Sequence, residues 1–256
     1  MQDLNVTPVQ CELAWESPAA NRSQIGEIIE DLDTATDLIV LPEMFSTGFS
    51  MNALANAEQP GGPTEQWLRQ IAGRKDCAIT GSIAVREADA VYNRMLFVTP
   101  QGVTHYDKRH LFRMGGEHKR YAAGSQRVVV DWRGWRIKLQ VCYDLRFPVF
   151  SRNRGDYDLL LYVANWPASR RGHWRALLPA RAVENLACVV GVNRIGSDAN
   201  GLDYSGDSMA IAADGELLWD AQNTDGAASV VLDGAALQAY RKAFPFQLDA
   251  DGFQLE

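Results

Sequence analysis

The apolar positions of this chain follow two rhythms. "DLIVLPE" (37–43), "DLLLYVANWP" (158–167) and "CVVGVNRIG" (188–196) hold short continuous apolar runs. Runs of that length, closed by polar or turn residues, mark strands buried on both faces. "NVTPVQCEL" (5–13) reads as a first strand, with Pro8 placing it near an edge or a bulge. "SPAANRSQIGEIIEDL" (17–32) changes to the helical period: a Ser-Pro start is followed by Ile25, Ile28, Ile29 and Leu32. "GGPTEQWLRQIAGRK" (61–75) predicts a second helix, introduced by Gly-Gly-Pro, with Thr64 as its cap.

"CAITGSIAVRE" and "VYNRMLFVTPQG" predict a hairpin, and "RVVVDWRGWRIKLQVCYD" two more strands turning at Arg-Gly. "HWRALLPARAVENLA" predicts a helix interrupted or offset at Pro179. "SMAIAADGELLWD" predicts a hairpin with Asp-Gly at its turn, "AASVVLD" a last strand and "GAALQAYRKAF" a final helix. "SDANGLDYSGDS" (197–208) reads as a loop. Buried strands mixed with hairpins and crossover helices predict an α/β fold of two mixed sheets covered by helices. With no linker, repeat or low-complexity segment, residues 1–256 are expected to form one domain.

Composition narrows the function classes. A formal net charge of −7 argues against a nucleic-acid partner or an anionic membrane surface. No apolar run reaches the length of a membrane span, and the N-terminus lacks a basic segment followed by an apolar one, so a cytoplasmic protein is expected. Cys11, Cys77, Cys142 and Cys188 form no C-x-x-C pair, and the four histidines form no metal-ligand spacing. No metal and no cofactor are therefore expected.

Candidate chemistry lies where apolar runs end. The first run delivers Glu43, "LQVCYDLRFP" (139–148) delivers Cys142, and "LYVANWP" delivers Asn165 and Trp166. Ligands in α/β sheets gather beyond the carboxyl ends of strands. Read singly, Glu43 fits a solvated loop, Cys142 a core thiol and Asn165 a turn. A polar and aromatic stretch, "HYDKRHLFRMGGEHKRYAAG" (105–124), adds Lys108 and, past a Gly-Gly loop, Glu117.

Taken in order, "LPEMFSTGF", "YDKRHLF" and "VCYDLRFP" resemble the signature segments of the nitrilase superfamily, the carbon–nitrogen hydrolases. The later Asn165–Trp166 and Arg181–Glu184–Asn185 features also match, so the resemblance covers nearly the whole chain. It implies an α-β-β-α sandwich and a Glu43–Lys108–Cys142 triad, with Glu117 as a fourth catalytic residue. It also implies a homodimer or larger homo-oligomer, formed through the segment after Cys142, the helix over 173–187 and the Phe-containing tail. That tail could equally fold back on its own chain.

"PEMFSTGF" with "CYDLRFP" looks most like the omega-amidase branch, which implies a small amide substrate such as 2-oxoglutaramate, the omega-amide of a 2-oxo acid. Arg146 is the candidate for the substrate carboxylate, as a bidentate fork. Its alternative is a structural ion pair with Asp144 or Glu184. Phe45, Tyr143 and Trp166 are candidates for the pocket walls, with Asn165 beside them. Other readings are a nitrilase or carbamoylase, a catalytically silent member serving as a binding partner, or a Cys142–His173 thiol hydrolase.

Overall fold

The computed structural model describes residues 1–32 and 35–255. The chain opens with β1 (Leu4–Gln10), α1 (Pro18–Glu30), β2 (Leu38–Val40), a single turn α2 (Ala53–Asn56) and α3 (Pro63–Lys75). Then come β3 (Ala78–Glu87), β4 (Ala90–Thr99), β5 (Gly102–Asp107), β6 (Val129–Trp132) and β7 (Trp135–Val141). A short α4 (Pro148–Ser151), β8 (Leu159–Ala164), α5 (Arg171–Asn185) and β9 (Cys188–Asn193) follow. The last elements are β10 (Ile195–Ser197), β11 (Asp203–Ser205), β12 (Met209–Ile211), β13 (Leu217–Asp220), β14 (Gly226–Ala227), β15 (Val230–Leu232) and α6 (Gly234–Ala243).

Two mixed sheets result. One runs β14-β1-β2-β3-β4-β5, with β15 also on β1; the other runs β13-β12-β9-β8-β7-β6. β1, β2 and β3 are parallel neighbours in the first, and β7, β8 and β9 in the second. The inner faces meet in a core of Val6, Leu38, Val40 and Phe97 against Ile137, Leu139, Leu161 and Val190. Alternate residues of the first sheet, Ile39, Leu41 and Ile79, pack on Ile25 and Ile29 of α1 and Leu68 and Ile71 of α3. Leu160, Tyr162 and Val189 of the second pack on Trp174, Leu178 and Ala182 of α5. Strands buried on both faces explain the continuous apolar runs, and the layers are the expected α-β-β-α sandwich.

The structure departs from the sequence expectations in several places. β1 is no edge strand: β2 flanks one side, β14 and β15 the other. Pro8 falls where its antiparallel partner changes from β15 to β14, so the proline stands at a break in pairing. Thr64 does not cap α3, whose N-cap is Gly62; its hydroxyl and N–H both donate to Glu58. α5 runs unbroken through Pro179. β5 extends the first hairpin into a meander, and β11, inside the expected 197–208 loop, pairs with β10 just before it as a hairpin. The tail folds back on its own chain: the Arg154 guanidinium lies 4.7 Å from the Phe253 ring, and Leu255 packs against the central core. Among the described residues no helix is long and apolar enough to cross a membrane.

Candidate active site

Carboxyl ends of strands from both sheets meet at one rim. Glu43 follows β2, Lys108 follows β5, Cys142 follows β7 and Asn165 follows β8. Cys142 is held at φ +46°, in the left-handed region, as β7 breaks into a 3-10 turn over Cys142–Arg146. Such a sharp elbow turns a side chain out of the sheet plane, at a backbone cost the surroundings must meet. Here Asp144 meets it. Its buried carboxylate accepts the Val141 N–H at 2.9 Å, the Tyr106 hydroxyl at 2.7 Å and the His110 N–H at 3.1 Å. From the other side, Arg181 of α5 donates to the Leu145 carbonyl at 2.7 Å.

Lys108, Glu43 and Glu117 form a buried cluster with no solvent exposure. The Lys108 Nζ donates to Glu43 Oε1 at 2.8 Å and to both Glu117 oxygens at 3.1 and 3.0 Å. Asn93 bridges the two carboxylates, at 2.7 Å to Glu43 and 3.1 Å to Glu117. The Asn165 N–H donates to the second Glu43 oxygen at 2.8 Å, and its side-chain amide donates to the Glu43 carbonyl. Glu117 also accepts the Phe112 N–H at 2.6 Å. It is delivered by two 3-10 turns that meet at Gly116, whose φ of +77° suits glycine. The Cys142 thiol lies beside this cluster, close enough to feel the charges of Glu43 and Lys108. Glu43, Lys108 and Glu117 thus meet within hydrogen-bonding contact, and Cys142 lies beside them.

Their charges condition one another. Burial pushes the Cys142 thiol well above its ordinary value, and the Glu43 carboxylate adds to the rise, against Lys108. Burial acts to lower Lys108, but Glu117 and Glu43 outweigh it and hold the ammonium protonated. Glu117 is raised, chiefly by burial and against the pull of Lys108. Burial thus favours a neutral thiol, set beside a fixed ammonium.

A cavity of about 270 Å³ opens onto this cluster, with Cys142 and Lys108 in its lining. Tyr143, Arg146, Asn165 and Trp166 line it as well. Phe45 does not. It is fully buried on the outer face of the first sheet, packed on Gly81 and on Trp67 of α3, where a Cβ added to Gly81 would come within 2.8 Å of its ring. The chain turns at Met44, φ +45°, and Phe49 takes the wall position instead, its ring 5.2 Å from the Lys108 Nζ.

Arg146 makes neither of the ion pairs considered for it. Its guanidinium lies 4.7 Å from the Trp166 ring and 3.0 Å from the His173 Nδ1. His173 is exposed and engaged with Arg146, whereas the charges acting on the thiol are those of Glu43, Lys108 and Glu117. Asn93 escaped sequence reasoning. Its one signal is a polar side chain inside the apolar run of β4. The far wall, with Asp198 and Tyr204 of the β10–β11 hairpin region, lay in a stretch read as plain loop.

Known proteins of this kind share the sequence and the fold. The carbon-nitrogen hydrolase family model matches residues 5–242. The omega-amidase YafV of Yersinia enterocolitica is 51% identical and that of Escherichia coli 49%, each aligned over 100% of both chains. A 2-oxoglutaramate amidase of Bacillus subtilis is 30% identical, over 94% of this chain and 95% of its own. The crystal structure of a CN-hydrolase superfamily protein from Xanthomonas campestris, which carries an arsenic adduct in its active site, superposes with a TM-score of 0.98 at 48% identity, over 100% of both chains. On this sequence and this fold, the chain belongs to the carbon–nitrogen hydrolase family, as an amidohydrolase.

Proposed function

We propose that this enzyme hydrolyses the omega-amide of a 2-oxo acid, with 2-oxoglutaramate as the type substrate, through a thioester on Cys142. The observation that carries the reading is Cys142 lining one small cavity with Lys108, which Glu43 holds, and with Arg146 on the wall. At about 270 Å³ the cavity suits a short chain. The omega-amidase and 2-oxoglutaramate amidase relatives support the same substrate class.

The cycle follows from the contacts. Cys142 Sγ attacks the amide carbon while its proton passes to Glu43. The new oxyanion is held by the Lys108 ammonium and the Tyr143 N–H, which lies in the first turn of the 3-10 segment. Glu43 returns the proton to the amide nitrogen, the C–N bond breaks and ammonia leaves. Water then attacks the thioester, giving its proton to Glu43; the C–S bond breaks, the carboxylic acid departs and the sulfur is reprotonated.

Glu117 holds Lys108 from the side opposite Glu43 and keeps the ammonium charged. The Asn165 Oδ1, buried and without a hydrogen-bond partner, is placed to accept an N–H of the substrate amide. Tyr143 and Trp166 wall the chain, and Arg146 takes the carboxylate.

Cytoplasmic residence goes with the free thiols at Cys11, Cys77 and Cys188, which suit a reducing compartment. Assembly into a homodimer is part of the proposal, and exposed Val149, Phe244 and Leu248 supply apolar surface for it. Ammonia release from 2-oxoglutaramate, glutamine, a neutral aliphatic amide and a nitrile tests the substrate. The 2-oxo amide is expected to give the highest kcat/KM, and a preference for glutamine or the nitrile would refute the assignment.

A further inference from the structure

Arg146 is not the lone cation on the cavity wall. Arg170, which closes the 3-10 turn Ala168–Arg170 just before α5, lines the cavity too. Its neighbours Arg171 and Arg175 are paired with Asp207 and Asp220. Arg146 and Arg170 form no ion pair among the described residues. We propose that Arg170 is a specificity-determining residue that closes, with Arg146, a two-arginine clamp on the 2-oxo carboxylate end of the substrate. This rests on the reading of the site as one for a carboxylate-bearing amide.

Three features carry the proposal. First, each guanidinium lies against an aromatic ring of the same cavity, Arg146 at 4.7 Å from Trp166 and Arg170 at 5.3 Å from Phe112. A stacked guanidinium keeps its in-plane N–H groups for a carboxylate fork and loses little freedom on binding. Second, the two arms are joined: the Trp166 Nε1, on the ring that supports Arg146, donates to the Arg170 carbonyl at 2.8 Å.

Third, the acid on the cavity wall is occupied. Asp198 Oδ1 accepts the N–H groups of Asn200 and Leu202, and Oδ2 accepts the Tyr204 hydroxyl. Its carboxylate is spent on holding its own hairpin. An ammonium group beside the substrate carboxylate would face the two guanidiniums, while Asp198 is turned to its own hairpin. The clamp therefore selects a 2-oxo acid, net negative at that end, over the corresponding 2-amino acid, whose ammonium cancels the charge.

The test compares Arg170→Met and Arg170→Lys with wild type and with Arg146→Met, on 2-oxoglutaramate and on a neutral amide of equal chain length. Arg170→Met is expected to lower kcat/KM for 2-oxoglutaramate by about 10- to 100-fold, mostly through KM. The neutral amide should change by about twofold or less, which also reports an intact fold. Arg170→Lys should recover part of the loss as a point charge without the fork. If wild type and Arg170→Met favour the anionic amide equally while Arg146→Met does not, the clamp is refuted and the substrate reading stands. An equal fall on both substrates refutes it too, by making Arg170 structural. Absence of anionic preference in wild type overturns the substrate reading itself.

Discussion

A thiol held neutral by burial and by a neighbouring carboxylate cannot attack until its proton has somewhere to go. On the proposed scheme Glu43 is that destination, and two pH effects follow. Because Cys142 and Lys108 are both raised, kcat/KM should stay flat through the ordinary thiol range near about pH 8.5. A preformed thiolate would instead produce a rise there. On the acid side, raised Glu117 takes up its proton above the ordinary glutamate range of about 4.3, so activity should fall from a higher pH than a solvated carboxylate would set. Glu43→Gln separates the roles further. Removing the negative charge lowers the Cys142 thiol, so alkylation by iodoacetamide should extend to lower pH while kcat falls by about 10²- to 10⁴-fold. An unchanged kcat in Glu43→Gln would deny Glu43 the base role.

At the scale of elements, the site is a matter of strand ends and what pins them. Asp144 ties the elbow after β7 to Tyr106 and His110, which flank Lys108 in sequence after β5. Asp144→Asn removes one acceptor oxygen and leaves a buried donor unpaired, at about 1–3 kcal/mol. It should lower kcat far more than it raises KM, since the cavity wall is untouched; an unchanged kcat in a folded variant would contradict that link. The continuous apolar runs made β2, β8 and β9 legible, and the Arg-Gly turn with its flanking strands made β7 so, and with them the residues they deliver. β5 was not, because its exposed Thr104 and His105 give an edge strand a polar look. The β10–β11 hairpin is built from Gly, Asp and Ser, whose local preference is for turns. Phe45 and Phe49 are the same residue type on one loop, and only the turn at Met44 decides which one reaches the cavity. Arg170 precedes the helix predicted from His173, and nothing in the sequence around it says which arginines find carboxylates.

Across the whole molecule, burial also bears on a lysine away from the site. Lys138 of β7 is fully buried, its Nζ without a hydrogen-bond partner and facing the Phe150 and Tyr157 rings at 4.9 and 5.8 Å. Burial, aided by Arg127, lowers its amine to about 7. An unfolded chain keeps that proton up to about 10.4. Between those values the unfolded state binds more protons, so stability should rise with pH across that window. Lys138→Met should flatten this slope and raise Tm near neutral pH, at about 2–4 °C per kcal/mol for a chain of this size. A pH dependence of Tm unchanged from wild type would rule Lys138 out as its source.

The covalent step is the claim to which the rest is attached, and intact-mass analysis of acid-quenched enzyme during turnover of 2-oxoglutaramate tests it most directly. The account predicts an added mass equal to substrate less ammonia, mapped to Cys142, with neither adduct nor ammonia release in Cys142→Ala. Sustained ammonia release by Cys142→Ala, or an acyl group found on any other residue, would contradict it.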